Sequence, residues 1–566
     1  MKKQILTGEE SFEKIIEGNY FYIDKTLFIK ELIENMGTVT LITRPRRFGK
    51  TMNMSMLSHF FDISKDSKAL FDGLKIMEHK DIVEKHLNKY PVVSLTLKDV
   101  EEETYKSCME NIRGLVCEIY RQNRYLYESE RLNEQQKDLF YSLLSGKSTE
   151  SSLKDALKFL TECLYTYYQK RVIILLDEYD APINNALMEG YYKKMVKFMR
   201  GFLGKVFKTN DYLEFGVLTG VQRIAKEGLV SCFNNPLVCG IMSELFPTCF
   251  GFTGEEVKDA CQLYGLGDMF EKVEIWYNGY RFGGRDMYNP WSITGYLKEK
   301  KFKDYWVNIG SMDILADIFF KGSLSLKNDI AGLLTHTPIK MKYVEHITYP
   351  VIFENDDIFW SMLLNTGYLK PCTGCSTEDL FYAELVNREV KNIFADCIDL
   401  WFKRQHNETP KIIRKFVNYV LTGDKEGISD TLNNELLNNP SCFDFKEENS
   451  YNMFIFGILL AVSNDFTVYS NPESGKGRSD CLIKPVDREK YAVVIEFKHE
   501  RDESCDLKAS AQKGLIQIEE KAYIHHLKHE GYQKVYKYGI AFHRKNCEVA
   551  MESETSSFER FTYPLR

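Results

Sequence analysis

The sequence predicts an α/β chain in three parts. A parallel sheet sandwiched by helices spans residues 1–250, a mainly helical lid or linker spans 251–400, and a second α/β domain spans 401–566. Three observations carry this reading. In the first half, near-continuous apolar runs alternate with helical stretches, as strands buried on both faces of a parallel sheet do. A Gly-Lys-Thr sequence lies between one such run and a helix. Near the C-terminus, two carboxylates and a lysine fall on adjoining strand-like runs.

Taken in order, Thr38–Thr43 (TVTLIT) reads as a strand and the stretch after Lys50 as a helix. Pro91–Leu97 (PVVSLTL) is the next strand, and a long polar helical region follows to about residue 170. Val172–Asp177 (VIILLD) and Tyr212–Thr219 (YLEFGVLT) complete the first set. From about 250 to 400 the pattern is mainly helical, with aromatic and glycine-rich turns such as Trp276–Phe282 (WYNGYRF). Beyond 400, helices lead to an amphipathic stretch at 447–463 and to two strand-like runs around Asp480–Ile483 and Tyr491–Phe497. A helix containing Gln512–Glu520 and a last strand at Tyr538–His543 follow.

A chain of 566 residues, 44% hydrophobic and 27% charged, has ample material for several cores. Its net charge of −7 means that any contact with nucleic acid must use local basic surface. Of the 14 cysteines, only Cys372 and Cys375 form a CxxC. No second pair completes a zinc site, so the pair reads as a turn with two reduced thiols. Scattered cysteines fit a reducing cytoplasm. The N-terminus turns acidic at once, unlike a signal peptide. The longest apolar run, Phe454 to Val462, falls far short of the ~20 residues of a membrane span. A cytoplasmic chain with no membrane segment is expected.

The Gly-Lys-Thr run closes the loop RPRRFGKT at Arg44–Thr51. Placed after a strand and opening a helix, it has the context of a P-loop. Backbone N–H groups and the helix N-terminus would cradle phosphate oxygens, Lys50 would reach the β- and γ-phosphates, and Thr51 would hold Mg²⁺. Arg44 stands where the generic motif has its first glycine. Arg44, Arg46 and Arg47 read either as a solvated basic turn or as charge around a triphosphate or a nucleic-acid backbone. Val172–Asp177 followed by Glu178 has the form of a Walker B strand. Asp177 would serve Mg²⁺ and Glu178 the attacking water. Thr219 ends the next strand, where a residue can read the γ-phosphate, and Arg223 lies just beyond. The plainer reading of both is a strand cap. Arg46, Arg47, Phe48, Gly49, Lys50, Thr51, Asp177, Thr219 and Arg223 are thus the candidate ATP-binding residues of a P-loop NTPase sheet.

Asp480 is followed after fifteen residues by Glu496-Phe497-Lys498, the D…E-x-K pattern of restriction-endonuclease-like enzymes. Asp480 opens one strand and Glu496 ends the next, so their carboxylates can meet across the hairpin and share Mg²⁺ or Mn²⁺. Strand alternation sends Phe497 to the core and returns Lys498 to the face of Glu496, beside the attacking water. Gly477-Arg478-Ser479 gives a tight entry, Glu448 is a further candidate ligand, and Gln517 can contact substrate or backbone. A solvated charged strand or a plain salt bridge is the competing reading, although the apolar setting (AVVIEF) argues for burial.

With both sites in view, the chain resembles a family of bacterial proteins in which an AAA-ATPase-like domain is joined to a PD-(D/E)XK nuclease superfamily domain. The resemblance runs through Tyr22-Ile23-Asp24-Lys25-Thr26, Arg44–Thr51, Leu176–Pro182, Leu218–Glu227, Tyr277–Phe282, Tyr288–Trp291, Gly477–Asp480 and Glu496–Lys498. It implies that Arg44 is no defect, because such proteins carry RPRRFGK[ST]. It also implies an ATP-binding core, a helical segment, a nuclease-type end and nucleic acid as partner; AAA-type ATPases often assemble, so a homo-oligomer is a candidate state that the sequence does not fix. Three functions compete: an ATP-controlled Mg²⁺-dependent nuclease, a nucleotide-dependent switch or scaffold that binds without cutting, and an ATPase that remodels a protein partner.

Overall fold

The structure, a computed structural model, describes residues 2–224, 236–306, 324–334, 337–345, 355–377, 380–394, 409–436, 459, 466–470, 473–474, 477–485, 487–500, 502, 505–521, 523–543 and 546–555. The chain forms two compact units, Met1–Val307 with Lys340–Val390, and Asn308–Ile339 with Lys391–Arg566. Among the described residues, no helix is long and apolar enough to cross a membrane.

In the first unit, α1 (Phe12–Glu17) and α2 (Leu27–Asn35) precede β1 (Val39–Thr43) and α3 (Lys50–Phe61). Next come β2 (Val92–Thr96), α4 (Tyr105–Gln122), α5 (Glu134–Leu144) and α6 (Glu150–Tyr168). These are followed by β3 (Val172–Asp177), α7 (Ala181–Met188), α8 (Tyr192–Phe207), β4 (Leu213–Gly220) and β5 (Leu237–Cys239). The five strands form one parallel sheet in the order β2-β3-β4-β1-β5.

The sequence accounts for this order of burial. The apolar runs of β1 and β3 are buried at every position, as inner strands must be, whereas β2 alternates and exposes Ser94 and Thr96 at the sheet edge. The predicted strands are all present, with ends shifted by a residue, while the three residues of β5 are too few to show a period. Helices α4, α5 and α6 start where Thr104, Asn133 and Thr149 accept backbone N–H groups with their side chains.

The rest of this unit carries α9 (Gly254–Tyr264), α10 (Pro290–Glu299) and α11 (Asp356–Thr366), in keeping with the helices expected there. It also holds two three-stranded sheets that the sequence reading does not place. One joins β6 (Phe252–Thr253), β7 (Tyr280–Phe282) and β8 (Arg285–Tyr288); the other joins β9 (Ile339–Lys342), which belongs to this unit from Lys340 on, β10 (Leu369–Thr377) and β11 (Leu380–Leu385). Strands of two to four residues in the first of these give no readable alternation. Cys372 and Cys375 do not occupy the expected turn: both fall in β10, whose register with β11 shifts between Pro371 and Ser376.

In the second unit, β12 (Phe466–Ser470) is followed by the ribbon β13 (Glu473–Ser474) and β14 (Gly477–Arg478). Then come β15 (Cys481–Pro485), β16 (Ala492–His499), α12 (Leu507–Glu520), β17 (Lys534–His543) and β18 (Asn546–Thr555). The sheet order is β12-β15-β16-β17-β18, with β16 and β17 parallel and the other pairs antiparallel. The strand expected to be last, at 538–543, is therefore second to last. β18 escapes notice because its C-terminal half, Glu552–Thr555, is polar and largely exposed. The amphipathic stretch predicted at 447–463 lies, apart from Leu459, outside the described residues.

Helix α12 lies unusually close to the sheet. A Cβ on Gly514 would stand 2.9 Å from the Cα of Gly539, and one on Gly539 would stand 2.0 Å from the carbonyl oxygen of Ala511. Two glycines facing each other allow this approach, and it brings Gln517 onto β16. Gly539→Ala is expected to push the helix off the sheet and to cost about 1–3 kcal/mol of stability. Denaturant unfolding of the variant beside wild type measures this, and an unchanged midpoint would contradict the close packing.

Candidate functional sites

The first site forms where β1, β3 and β4 end together. Parallel pairing sets Ile42 beside Thr219 and Leu176 beside Leu218, so the loop after β1, the carboxylates after β3 and the end of β4 share one sheet edge. β4 lies between the other two, and Thr219 therefore sits between the Gly-Lys-Thr loop and Asp177.

The loop after β1 bends through positive φ at Arg47 (67°) and Gly49 (79°). A Cβ at Gly49 would meet nothing within 4 Å, which leaves the mouth of the loop open at the N-terminus of α3. The first N–H groups of that helix have no intrahelical acceptor. Phe48 is fully buried, edge-on to Tyr280 and Phe282, so its ring anchors the loop and only its backbone is available to a ligand. The carbonyl oxygen of Arg46 accepts from Trp306 Nε1 (3.2 Å) and Asn289 Nδ2 (3.4 Å). The Arg46 side chain is exposed, as is that of Arg47, whose guanidinium lies 3.8 Å over the Trp291 ring. Arg44 is neither solvated nor at the mouth. It is completely buried, donates to the carbonyls of Thr43, Cys239, Gly240 and Phe246, and is held by burial at about 10, below its ordinary value.

Lys50 is 3% exposed. Its ammonium donates to the carbonyls of Arg44 (3.1 Å) and Pro45 (3.0 Å) and pairs with Glu178 at 3.3 Å. Asp177, 4% exposed, accepts from Thr51 Oγ1 at 2.6 Å on one oxygen and from Thr219 Oγ1 on the other. Burial, and then the charge of Glu178, raises Asp177 above its usual range. Glu178 itself adopts positive φ (53°). Of the predicted residues, Lys50, Thr51, Asp177, Glu178 and Thr219 come together here. Arg223 makes a different contact, an ion pair with Glu345 at 2.5 Å.

Sequence reading assigned no role to Tyr179 and Asp180. Asp180 is fully buried, and its Oδ2 accepts the N–H groups of Val221 (3.0 Å) and Gln222 (2.9 Å). Tyr179 donates its hydroxyl to Gln222 O at 2.6 Å and accepts from Ile224 N. Together they staple the turn that carries Arg223 to the end of β3. Burial and then Glu178 raise Asp180 to about 6. The signal was available: a carboxylate three residues after Asp177 in an apolar setting.

The second site lies on β15, β16 and α12. Cys481 pairs with Ile495, which sets Asp480 opposite Glu496, and Asp480 Oδ2 accepts from Phe497 N at 2.8 Å. Phe497 is buried while Lys498 stays partly exposed, as strand alternation requires. Glu496 is 2% exposed. Its Oε1 faces Lys498 Nζ at 3.4 Å and accepts from Gln517 Nε2, and Lys498 donates to Gln517 Oε1 at 2.6 Å. Its Oε2 is buried with no hydrogen-bond partner, as is Ser479 Oγ. Burial first, then the Asp480 charge, raises Glu496 to about 7. A carboxylate oxygen that is buried, unpartnered and next to a second carboxylate suits a divalent cation. Glu448 lies outside the described residues, and Arg478 is described only in its backbone. Tyr523, missed in the sequence, is buried and hydrogen-bonds Gln517 within the field of Glu496 and Asp480. It follows α12 on a separate helix, so no spacing marks it.

Two families match this chain, "Predicted AAA-ATPase" over residues 7–230 and "PD-(D/E)XK nuclease superfamily" over 446–552. The chain is also similar to a protein of Azotobacter chroococcum mcd 1 described as "Uncharacterized protein in vnfD 5'region", with 28% identity over 326 residues. That alignment covers 56% of this chain and 56% of the relative, so the chain spans about half the length of the relative it matches. The first site lies within the first match, and Asp480, Glu496, Lys498 and Gln517 lie within the second. The chain thus joins an AAA-ATPase-like domain at residues 7–230 to a PD-(D/E)XK nuclease superfamily domain at 446–552.

Proposed function

We propose that this chain is an ATPase whose nucleotide cycle controls a Mg²⁺-dependent nuclease acting on DNA or RNA. The observation that carries the reading is the split of Glu496: one oxygen is held by Lys498 and Gln517, and the other is buried without a partner beside Asp480.

At the first site, the open mouth over Gly49 and the N-terminus of α3 would hold the phosphates of ATP, with Arg46 and Arg47 at the rim. Lys50 would exchange the carbonyls of Arg44 and Pro45 for phosphate oxygens. Thr51 and Asp177 would hold Mg²⁺, Thr219 would keep Asp177 in place, and Glu178 would orient the attacking water. Arg223 would act beyond the turn, through Glu345. At the second site, Asp480 and Glu496 would hold Mg²⁺ or Mn²⁺, with Glu448 a further candidate ligand. A bound cation supplies charge that stabilises the phosphate and lowers the pKa of its water. Lys498, oriented by Gln517, would steady that water against the phosphodiester. The same reading divides the chain at about 250 and 400, places it in the cytoplasm, and allows assembly with its own copies.

Three outcomes follow. Lys498→Ala is expected to reduce cleavage of labelled DNA or RNA by about 100-fold or more while leaving ATP affinity unchanged. Cleavage at the wild-type rate would remove Lys498 from the chemistry, and a wild type that cuts no DNA or RNA would leave the switch that binds without cutting. Lys50→Ala should weaken ATP binding by about 10- to 100-fold, as calorimetry can measure, and equal affinity would refute the phosphate role.

The third concerns pH. The folded pKa of Glu496 is raised from 4.5 to about 7, so its protonated form is favoured by the fold. Without divalent cation, the stability it contributes is complete below 4.5 and is lost as pH rises through about 7. Cation binding, which needs the carboxylate, should strengthen over the same interval. Unfolding midpoints at several pH values, with and without Mn²⁺, test this. Glu496→Gln should remove both trends, and trends that persist in the variant would assign them elsewhere.

A further inference from the structure

Helix α8 (Tyr192–Phe207) packs against α6 and α7 and buries Met195, Phe198, Met199, Phe202, Leu203 and Val206. Its outer face is entirely cationic. Lys193, Lys194, Lys197, Arg200 and Lys205 are exposed, Lys208 follows at the C-terminal cap, and no Asp or Glu occurs from Tyr192 to Lys208. Over the whole chain acidic residues outnumber basic ones, 81 to 74, so this face is a local departure from the bulk.

At about 100° and 1.5 Å per residue, Lys193, Lys197, Arg200 and Lys208 fall within an arc of about 80° and form a row about 22 Å long. Lys194 and Lys205 lie on one flank of it. Lys205 pairs with Asp155 at 2.5 Å, and Lys194 sits 6.0 Å over the Tyr105 ring. Among the described residues the four in the row make no ion pair. Lys197 is in the field of Glu150, but Glu150 already pairs with Lys154 at 2.6 Å. Like charges one turn apart destabilise a helix, and here Lys193, Lys197 and Arg200 follow one another at that spacing. Among the described residues no carboxylate neutralises this row, which leaves it open to an anionic ligand.

We propose that this row binds the sugar-phosphate backbone of a nucleic acid, giving the ATPase-type unit its own grip on the substrate. The proposal rests on the reading of the C-terminal unit as acting on nucleic acid. Phosphates repeat every ~3.4 Å along a strand, so the row spans several of them. The arc holds only Lys, Arg and the half-buried Gly204. With no Asn, Gln or aromatic to read a base edge, the contact is independent of sequence. With no exposed apolar side chain in the arc to enter acyl chains, the face does not suit a lipid surface.

The test uses the full chain carrying Lys193→Gln, Lys197→Gln and Arg200→Gln together. Glutamine keeps helix propensity close to that of Lys and Arg, and unchanged ATP affinity and unfolding midpoint establish that the variant is folded. Anisotropy titrations use labelled single- and double-stranded DNA and RNA of about 30 nucleotides, with EDTA to prevent cleavage, over a series of salt concentrations. The variant is expected to bind at least about 10-fold more weakly near 0.1 M salt, with a log–log salt slope smaller by about 2 to 3. Affinity and slope equal to wild type would overturn the assignment to α8 and leave the nuclease reading standing. A wild type that binds none of the four probes would overturn both, and one that binds phosphatidylserine vesicles instead would replace nucleic acid with a lipid surface.

Discussion

The carboxylate of Asp177 is shut inside the end of a parallel sheet, 4% exposed, with the hydroxyls of Thr51 and Thr219 on its two oxygens. A buried charge without partners is costly, and these partners come from two other elements, the helix after the glycine-lysine loop and the neighbouring strand. The strand order is compatible with that need. With β4 next to β3, Thr219 meets one oxygen of Asp177, and Thr51, at the start of the helix that follows β1, meets the other. The adjoining residues extend the arrangement: Glu178 pairs with Lys50, and Asp180 and Tyr179 hold the turn that leads to Arg223. Moving any of the three elements would strip a buried acid of its donors.

The second unit handles a buried acid differently. Glu496 receives Lys498 and Gln517 on one oxygen and nothing on the other. At Asp177 both oxygens already accept from hydroxyls, whereas at Glu496 one acceptor is held ready; burial raises the pKa of both acids. That readiness depends on main-chain packing. Gln517 reaches Glu496 because Gly514 and Gly539 let α12 lie against β17, and Gly539 is itself the register partner of Glu496.

What the sequence made legible was local. The glycine-lysine loop, the apolar strand ending in two acids, and the D…E-x-K spacing all declare themselves within a few residues, because strand burial and alternation are properties of neighbours. The family resemblance ordered the same pieces. Contacts between distant residues were not legible. Trp306 and Asn289 reach the Arg46 carbonyl from some 250 residues away, and Arg223 finds Glu345 more than a hundred residues on. Tyr523 arrives from a separate helix, and the short strands of the middle region have too few residues to show a period.

Arg44 shows how such distant contacts decide a local departure. The generic loop begins with glycine, yet position 44 is absent from the residues with positive φ, and only Arg47 and Gly49 bend the loop that way. No backbone conformation there calls for glycine. The side chain instead runs inward, between the Phe250 and Phe282 rings, and satisfies carbonyls from β1, β5 and the segment ending at Phe246. Its own N–H donates to Gly220 O at the end of β4. One arginine thereby fixes the start of the loop to three strands, while Arg46 and Arg47 remain exposed at its mouth. Restoring the glycine would remove the post and leave those carbonyls buried without donors. The arginine is therefore a structural requirement of this sheet, and the basic character available to a ligand belongs to the two residues beyond it.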